Sequence, residues 1–156
     1  GTPTASANVL LKAAAGGPFP SGVTVTIVNS GTTATVTHTG HGLATNDKIG
    51  IEDASLPANN GVFSITVTGT NNYTYTMAST PGSSPTGTIK ATFVLLKGLT
   101  NGSGQISMSR VFPSNQPITG WVRKSSTQPY YKTGLISGSV SSASGAAFTG
   151  LLQTDQ

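Results

Sequence analysis

The chain has 156 residues, no Cys, 25 Thr, 19 Ser and 20 Gly, and only 8% of its residues are charged. The scarcity of Glu, Lys and Arg excludes long solvent-exposed helices. The absence of Cys excludes a disulfide framework or a thiolate metal site, and no run approaches the roughly 18 apolar residues of a membrane-spanning helix.

The formal charge of +4 is uneven. Lys12 and Lys48 against Asp47, Glu52 and Asp53 leave residues 1–88 at −1. Lys90, Lys97, Arg110, Arg123, Lys124 and Lys132 against Asp155 leave residues 89–156 at +5. A basic half either suits an acidic partner surface or is simply solvated.

In chain order, Gly1 to Ser6 reads as a linker or arm, left by removal of an N-terminal piece or by excision from a longer product. A strand is expected over 8–13. The short run Ala13-Ala14-Ala15 is the one candidate for a helix, and Gly16-Gly17-Pro18 cuts it off. Val23, Val25 and Ile27 alternate with Thr24 and Thr26, the period of a strand with one apolar and one hydroxyl-bearing face. Further strands are expected over 33–39 and 48–52. Asn60-Gly61 is a tight-turn signal, since both residues tolerate positive φ. Phe63, Ile65 and Val67 then alternate with Ser64, Thr66 and Thr68 as one strand. Asn71-Asn72 turns the chain into Tyr73, Tyr75 and Met77, again in period 2, and Pro81 to Pro85 forms a loop. The remaining expected strands are 88–96, Ile106 with Met108 after an Asn101-Gly102 turn, 118–124, 133–140 and 146–152. The sum is an all-β chain of about eleven short strands. The Thr-rich, acid-bearing stretch 31–88 reads as a module inserted between 1–30 and 89–156.

Residues able to carry chemistry are few. His38 and His41 are three apart, so on one strand they would point to opposite faces. They chelate a metal only if Gly40 bends the chain and Asp47 joins them. The preferred reading is that His41 supports a turn by hydrogen bonding while Gly40 and Gly42 supply unusual φ. Asp47, Glu52 and Asp53 could imitate a glycosidase pair but read as solvated turn residues. The nucleophile-elbow, phosphate-loop and dinucleotide-binding motifs are missing, so no enzyme and no cofactor is expected. Trp121, Arg123, Lys124, Tyr130, Tyr131 and Lys132 form a basic-aromatic cluster. It can be core plus strand-end cations, a protein interface, or a surface for stacking sugars or bases. Asn72-Tyr73-Thr74 and Asn101-Gly102-Ser103 match the glycosylation sequon, a pattern common by chance.

The segment His38-Thr39-Gly40-His41-Gly42-Leu43, followed by Asp47-Lys48, Asn60-Gly61-Val62-Phe63 and Tyr73-Thr74-Tyr75, resembles a small β-barrel module of tailed-bacteriophage virion proteins. That module is similar in fold to the first catalytic-cysteine half-domain of ubiquitin-activating enzymes, without its chemistry. The flanks, Gly22-Val23-Thr24-Val25-Thr26-Ile27 and Leu99 to Ile106, resemble carboxypeptidase-regulatory-like or transthyretin-like sandwiches, with Asn101 where Asp is usual. The resemblance implies an immunoglobulin-like sandwich (1–30 and 89–156) hosting a small barrel (31–88). It implies a non-enzymatic structural protein of the virion: a capsid decoration, cement or head-fibre protein, or a neck or tail ornament. The expected partners are copies of itself, as a trimer first, and other virion proteins such as the major capsid protein. Neither membrane nor nucleic acid is expected as a partner. The alternative is a host-surface or carbohydrate-binding adhesin module.

Overall fold

Alternating Thr and aliphatic residues make strands because β-branched side chains fit a pleated, half-buried surface. The computed structural model describes residues 8–99, 106–107, 116–123, 131–132, 136–140 and 147–148. The chain is all-β. Its thirteen strands among these residues are β1 (Asn8–Ala13), β2 (Val23–Ser30), β3 (Thr33–Thr37), β4 (Lys48–Glu52), β5 (Gly61–Ser64), β6 (Thr66–Gly69), β7 (Asn72–Thr76), β8 (Ile89–Leu99), β9 (Ile106–Ser107), β10 (Gln116–Arg123), β11 (Tyr131–Lys132), β12 (Ile136–Val140) and β13 (Ala147–Phe148). The arm at Gly1–Ser6, the Asn101-Gly102 turn and Met108 lie outside the described residues.

Two compact units divide the chain: Phe19–Val94, and Gly1–Pro18 with Leu95–Gln156. The first is wider than the 31–88 expected from composition, and the reason is strand pairing. β2 pairs antiparallel with β3 from Thr26↔Thr37 to Ser30↔Thr33, and with β8 from Val23↔Ala91 to Val25↔Ile89. β4 in turn pairs with β8 from Lys48↔Val94 to Glu52↔Lys90. Neither β2 nor the first part of β8 can therefore be assigned to the other unit.

Within Phe19–Val94 the strands run β5-β4-β8-β2-β3-β7-β6. The two ends of this series, β5 and β6, are consecutive in sequence and separated only by Ile65. The Ile65 N–H donates to the Asp47 carbonyl (2.9 Å) and its carbonyl accepts from the Asn46 N–H (2.8 Å). Phe63 of β5 stacks on Tyr75 of β7, ring centroids 4.1 Å apart. The sheet thus curls nearly into a barrel. The expected single strand through Phe63, Ile65 and Val67 is two strands, because its first half pairs with β4 and its second with β7.

The alternation holds in burial. Val25, Ile27, Ala34, Val36, Ile49, Ile51, Tyr73, Tyr75, Ile89, Ala91 and Phe93 are buried, while Thr24, Thr26, Thr33, Thr35 and Thr37 face solvent. Phe19 closes over Phe93, rings 4.0 Å apart and nearly parallel. Burying each large aliphatic or aromatic side chain contributes about 1.5–3 kcal/mol, the main favourable term in a unit with so few charges.

In the other unit β1 pairs with β10 along its whole length, from Asn8↔Arg123 to Ala13↔Ile118. The Ala14 N–H extends the ladder to the Pro117 carbonyl (2.8 Å). β10 also pairs with β11 and, across an irregularity at Pro117/Ile118, with β12. β9 and β13 form a separate two-stranded sheet. Ala13–Ala15 is not helical: Ala13 ends β1 and Ala15 lies in a turn. The two-residue β11 was not expected, being too short to show a period.

Candidate functional site

The turn after β3 carries the residues that drew attention in the sequence. β3 ends at Thr37, and the His38 N–H donates to the Asn71 carbonyl (2.8 Å) rather than to a ladder partner. Gly40 and Gly42 have φ of 60° and 63°, and a Cβ at either would meet nothing within 4 Å. Glycine is therefore favoured here by backbone conformation and not by lack of space. The Gly40 N–H donates to Asn71 Oδ1 (2.8 Å). These bends bring both imidazoles inside, with ring centroids 5.9 Å apart, where a straight strand would have separated them.

Both His41 nitrogens are engaged. Nδ1 accepts the Leu43 N–H and Nε2–H donates to the Gly69 carbonyl, each at 2.9 Å. A carbonyl only accepts and an N–H only donates, so this pair of bonds fixes the neutral Nε2–H tautomer. His38 Nδ1 lies 3.0 Å from the Tyr73 hydroxyl. The Tyr73 ring sits against both imidazoles, 5.2 Å from His41 and 5.7 Å from His38. His38 is 3% exposed, His41 6% and Tyr73 0%. Burial first, and the neighbouring His41 second, lower the His38 pKa to about 4. Burial, with Tyr75 adding to it, raises the Tyr73 phenol well above its usual range.

The three acids do not converge. Asp47 is buried before β4, where its Oδ2 accepts the Ala44 N–H (2.8 Å). Glu52 and Asp53 are exposed at the far end of that strand, roughly 16 Å along the chain from Asp47. Glu52 is opposite Lys90 in the ladder, and Lys90 Nζ donates to Thr24 Oγ1 (2.7 Å). No three His, Cys, Asp or Glu side chains gather as a metal would need among the described residues.

At the other end of β3 lies a polar network that the sequence did not flag. Asn59, fully buried in the 3-10 turn Pro57–Asn59, pairs its amide reciprocally with that of Asn29, 2.9 Å in each direction. Asn59 Nδ2 also donates to the Tyr75 hydroxyl (3.2 Å), which donates to the Asn59 carbonyl (2.8 Å). Asn29 Nδ2 donates to the Ser83 carbonyl (2.8 Å) and the Asn29 N–H to Ser84 Oγ (3.0 Å). Burial raises the Tyr75 pKa, against the opposing pull of Asn59. The partners are 16, 30 and 54–55 positions apart, beyond any local pattern; only the Asn-rich turn composition hinted at them.

The basic-aromatic cluster is divided. Trp121 and Arg123 lie on β10, and Tyr131 and Lys132 on β11, in the register Trp121↔Lys132 and Val122↔Tyr131. On the other flank Trp121 is opposite Leu10 and Arg123 opposite Asn8. Lys124 and Tyr130 lie outside the described residues, as does the Asn101 sequon. In the other sequon Asn72 is half-buried in β7, and its amide donates to the Val36 carbonyl (3.4 Å) and to Thr37 Oγ1 (3.2 Å). No helix among the described residues is long and apolar enough to cross a membrane. Set against protein-family models, curated proteins and solved structures, the chain matches none of them.

Proposed function

We propose that this chain is a non-enzymatic structural protein of a tailed-phage virion, used in many copies as a head decoration, cement or fibre protein, or as a neck or tail ornament. The supporting observation is the internal use of the His38–Leu43 motif. Its imidazoles, glycines and backbone donors hold the end of a barrel together, as suits a module whose worth is rigidity. The low charge and hydroxyl-bearing outer strands fit the same reading. Such a protein works by docking to copies of itself and to a larger shell such as one built of major capsid protein. Closed symmetry is the usual form of such association, and a trimer is the first expectation.

The test is direct. An antibody to the chain should label purified particles of the encoding phage at regular positions, and the isolated protein should sediment as a closed oligomer. A monomer absent from the particle overturns the reading. A second reading, a host-surface or carbohydrate-binding adhesin module, draws on the pairing of Trp121 with Lys132 and of Val122 with Tyr131. That pairing collects aromatic and cationic residue types on neighbouring strands. A glycan array decides it: specific binding lost in Trp121→Ala supports it, and a blank array removes it.

A further inference from the structure

We propose that His38, His41 and Tyr73 form an acid-sensitive latch, which holds the 38–43 turn closed at neutral pH and releases its Leu43 end when the imidazoles take up protons. This stands independently of where the chain assembles.

The geometry singles out this seam. β6 is held to β7 only by Thr66↔Thr74, Val67↔Tyr73 and Gly69↔Asn72, with an irregularity between Val67 and Gly69. At that weak point the His41 Nε2–H clasps the Gly69 carbonyl, while His41 Nδ1 takes the Leu43 N–H. One ring thus joins the turn to the strand. A proton on Nδ1 converts the acceptor into a donor facing another donor, so the Leu43 bond is lost. His38, buried beside it on Tyr73, would then share a poorly solvated space with a second cation.

Few groups oppose that charge. β3 and β6 carry no titratable side chain. β7 offers Tyr73 and Tyr75, both phenols held neutral by burial. The 44–47 turn offers Asp47, whose Oδ2 accepts the Ala44 N–H. The depressed His38 pKa is the electrostatic counterpart of this arrangement.

Hydrogen–deuterium exchange of the intact protein at pH 7.5 and pH 4.0, corrected for intrinsic exchange rates, tests the latch. The expected result is a loss of protection at the Leu43 amide at least tenfold greater than any loss along the β4–β8 ladder. Equal loss everywhere, or no loss at Leu43, overturns it. In His41→Gln, whose side chain has no ring nitrogen to protonate, the extra loss at Leu43 should shrink; a response as large as in the parent protein counts against the proposal. Should that variant not fold, imidazole NMR of the unaltered protein serves. His38 titrating near 4 and a neutral Nε2–H tautomer for His41 at pH 7.5 support the latch. His38 titrating near 6.5 overturns it.

Discussion

At the residue scale, the buried polar groups set the sharpest expectations. Removing one partner of a buried hydrogen bond leaves the other unsatisfied, at about 1–3 kcal/mol. Asn59→Ala strips the paired amide from Asn29 and a donor from Tyr75; a loss of about 2–3 kcal/mol in urea-unfolding stability is expected. Tyr73→Phe keeps the ring and removes only the contact to His38, so about 1 kcal/mol is expected from the same measurement. His38 gives a pH dependence whose sign is determined. Its folded pKa of about 4 lies below the ordinary imidazole value of 6.5, so between those values the unfolded chain binds more protons. Stability is full above pH 6.5 and declines as pH falls toward 4, by up to about 3 kcal/mol. Stability measured at pH 7 and pH 4 in parent and Tyr73→Phe proteins checks the direction; a protein more stable at pH 4 contradicts it. The sequence showed Gly40, His41 and Gly42 as a turn because glycines beside a histidine are a local signal. It did not show Tyr73 as the third member, because a contact 35 positions away leaves no local trace.

At the element scale, alternation revealed most strands and concealed one break. Period 2 records which face a side chain takes, not which neighbour its strand pairs with. Phe63, Ile65 and Val67 therefore read as one strand, although the ladder changes partner at Ile65. That residue is 1% exposed and its backbone carries the joint. Ile65→Ala should cost about 2–4 kcal/mol, and exchange at the Asn46 and Ile65 amides should rise before that of β2 and β3. Equal exchange in all four would remove the idea of a distinct joint. In the other unit a Cβ on Gly17 would come within 2.6 Å of Gln116 Oε1 and 2.7 Å of Pro117 Cδ. Gln116 is fully buried and donates to the Pro117 carbonyl (2.6 Å), so it has little room to retreat. Gly17→Ala is expected to destabilise by about 1–3 kcal/mol, read from the thermal midpoint. The Gly16-Gly17-Pro18 run looked like simple punctuation, since a steric limit set by residues a hundred positions away has no period.

At the scale of the whole molecule, charge follows the division into units. Phe19–Val94 holds Lys48 and Lys90 against Asp47, Glu52 and Asp53, a net −1. The remainder holds Lys12, Lys97, Arg110, Arg123, Lys124 and Lys132 against Asp155, a net +5. Any affinity for a polyanion should therefore belong to the second unit and fall steeply with salt. Retention on a heparin column should drop when Arg123, Lys124 and Lys132 are changed together to Gln, and stay unchanged in Lys48→Gln. Retention lost equally in both would break the link between charge and unit. The sequence displayed this asymmetry directly, but drew the border at residues 31 and 88 instead of 19 and 94. Composition shifts where threonine becomes dense, whereas compactness follows the hydrogen-bond ladder.

The passage of the chain through Ile65 has a further consequence. An open sheet ends in rows of spare backbone donors and acceptors, and crowded copies can zip together along them into fibres. In the Phe19–Val94 unit one border of the sheet runs into the other, and the residues beside that joint are occupied: Ile65 with Asn46 and Asp47, and the Val67 N–H with Thr45 Oγ1. At that joint the backbone offers no free rung to another copy, which lowers the tendency of massed copies to polymerise along it.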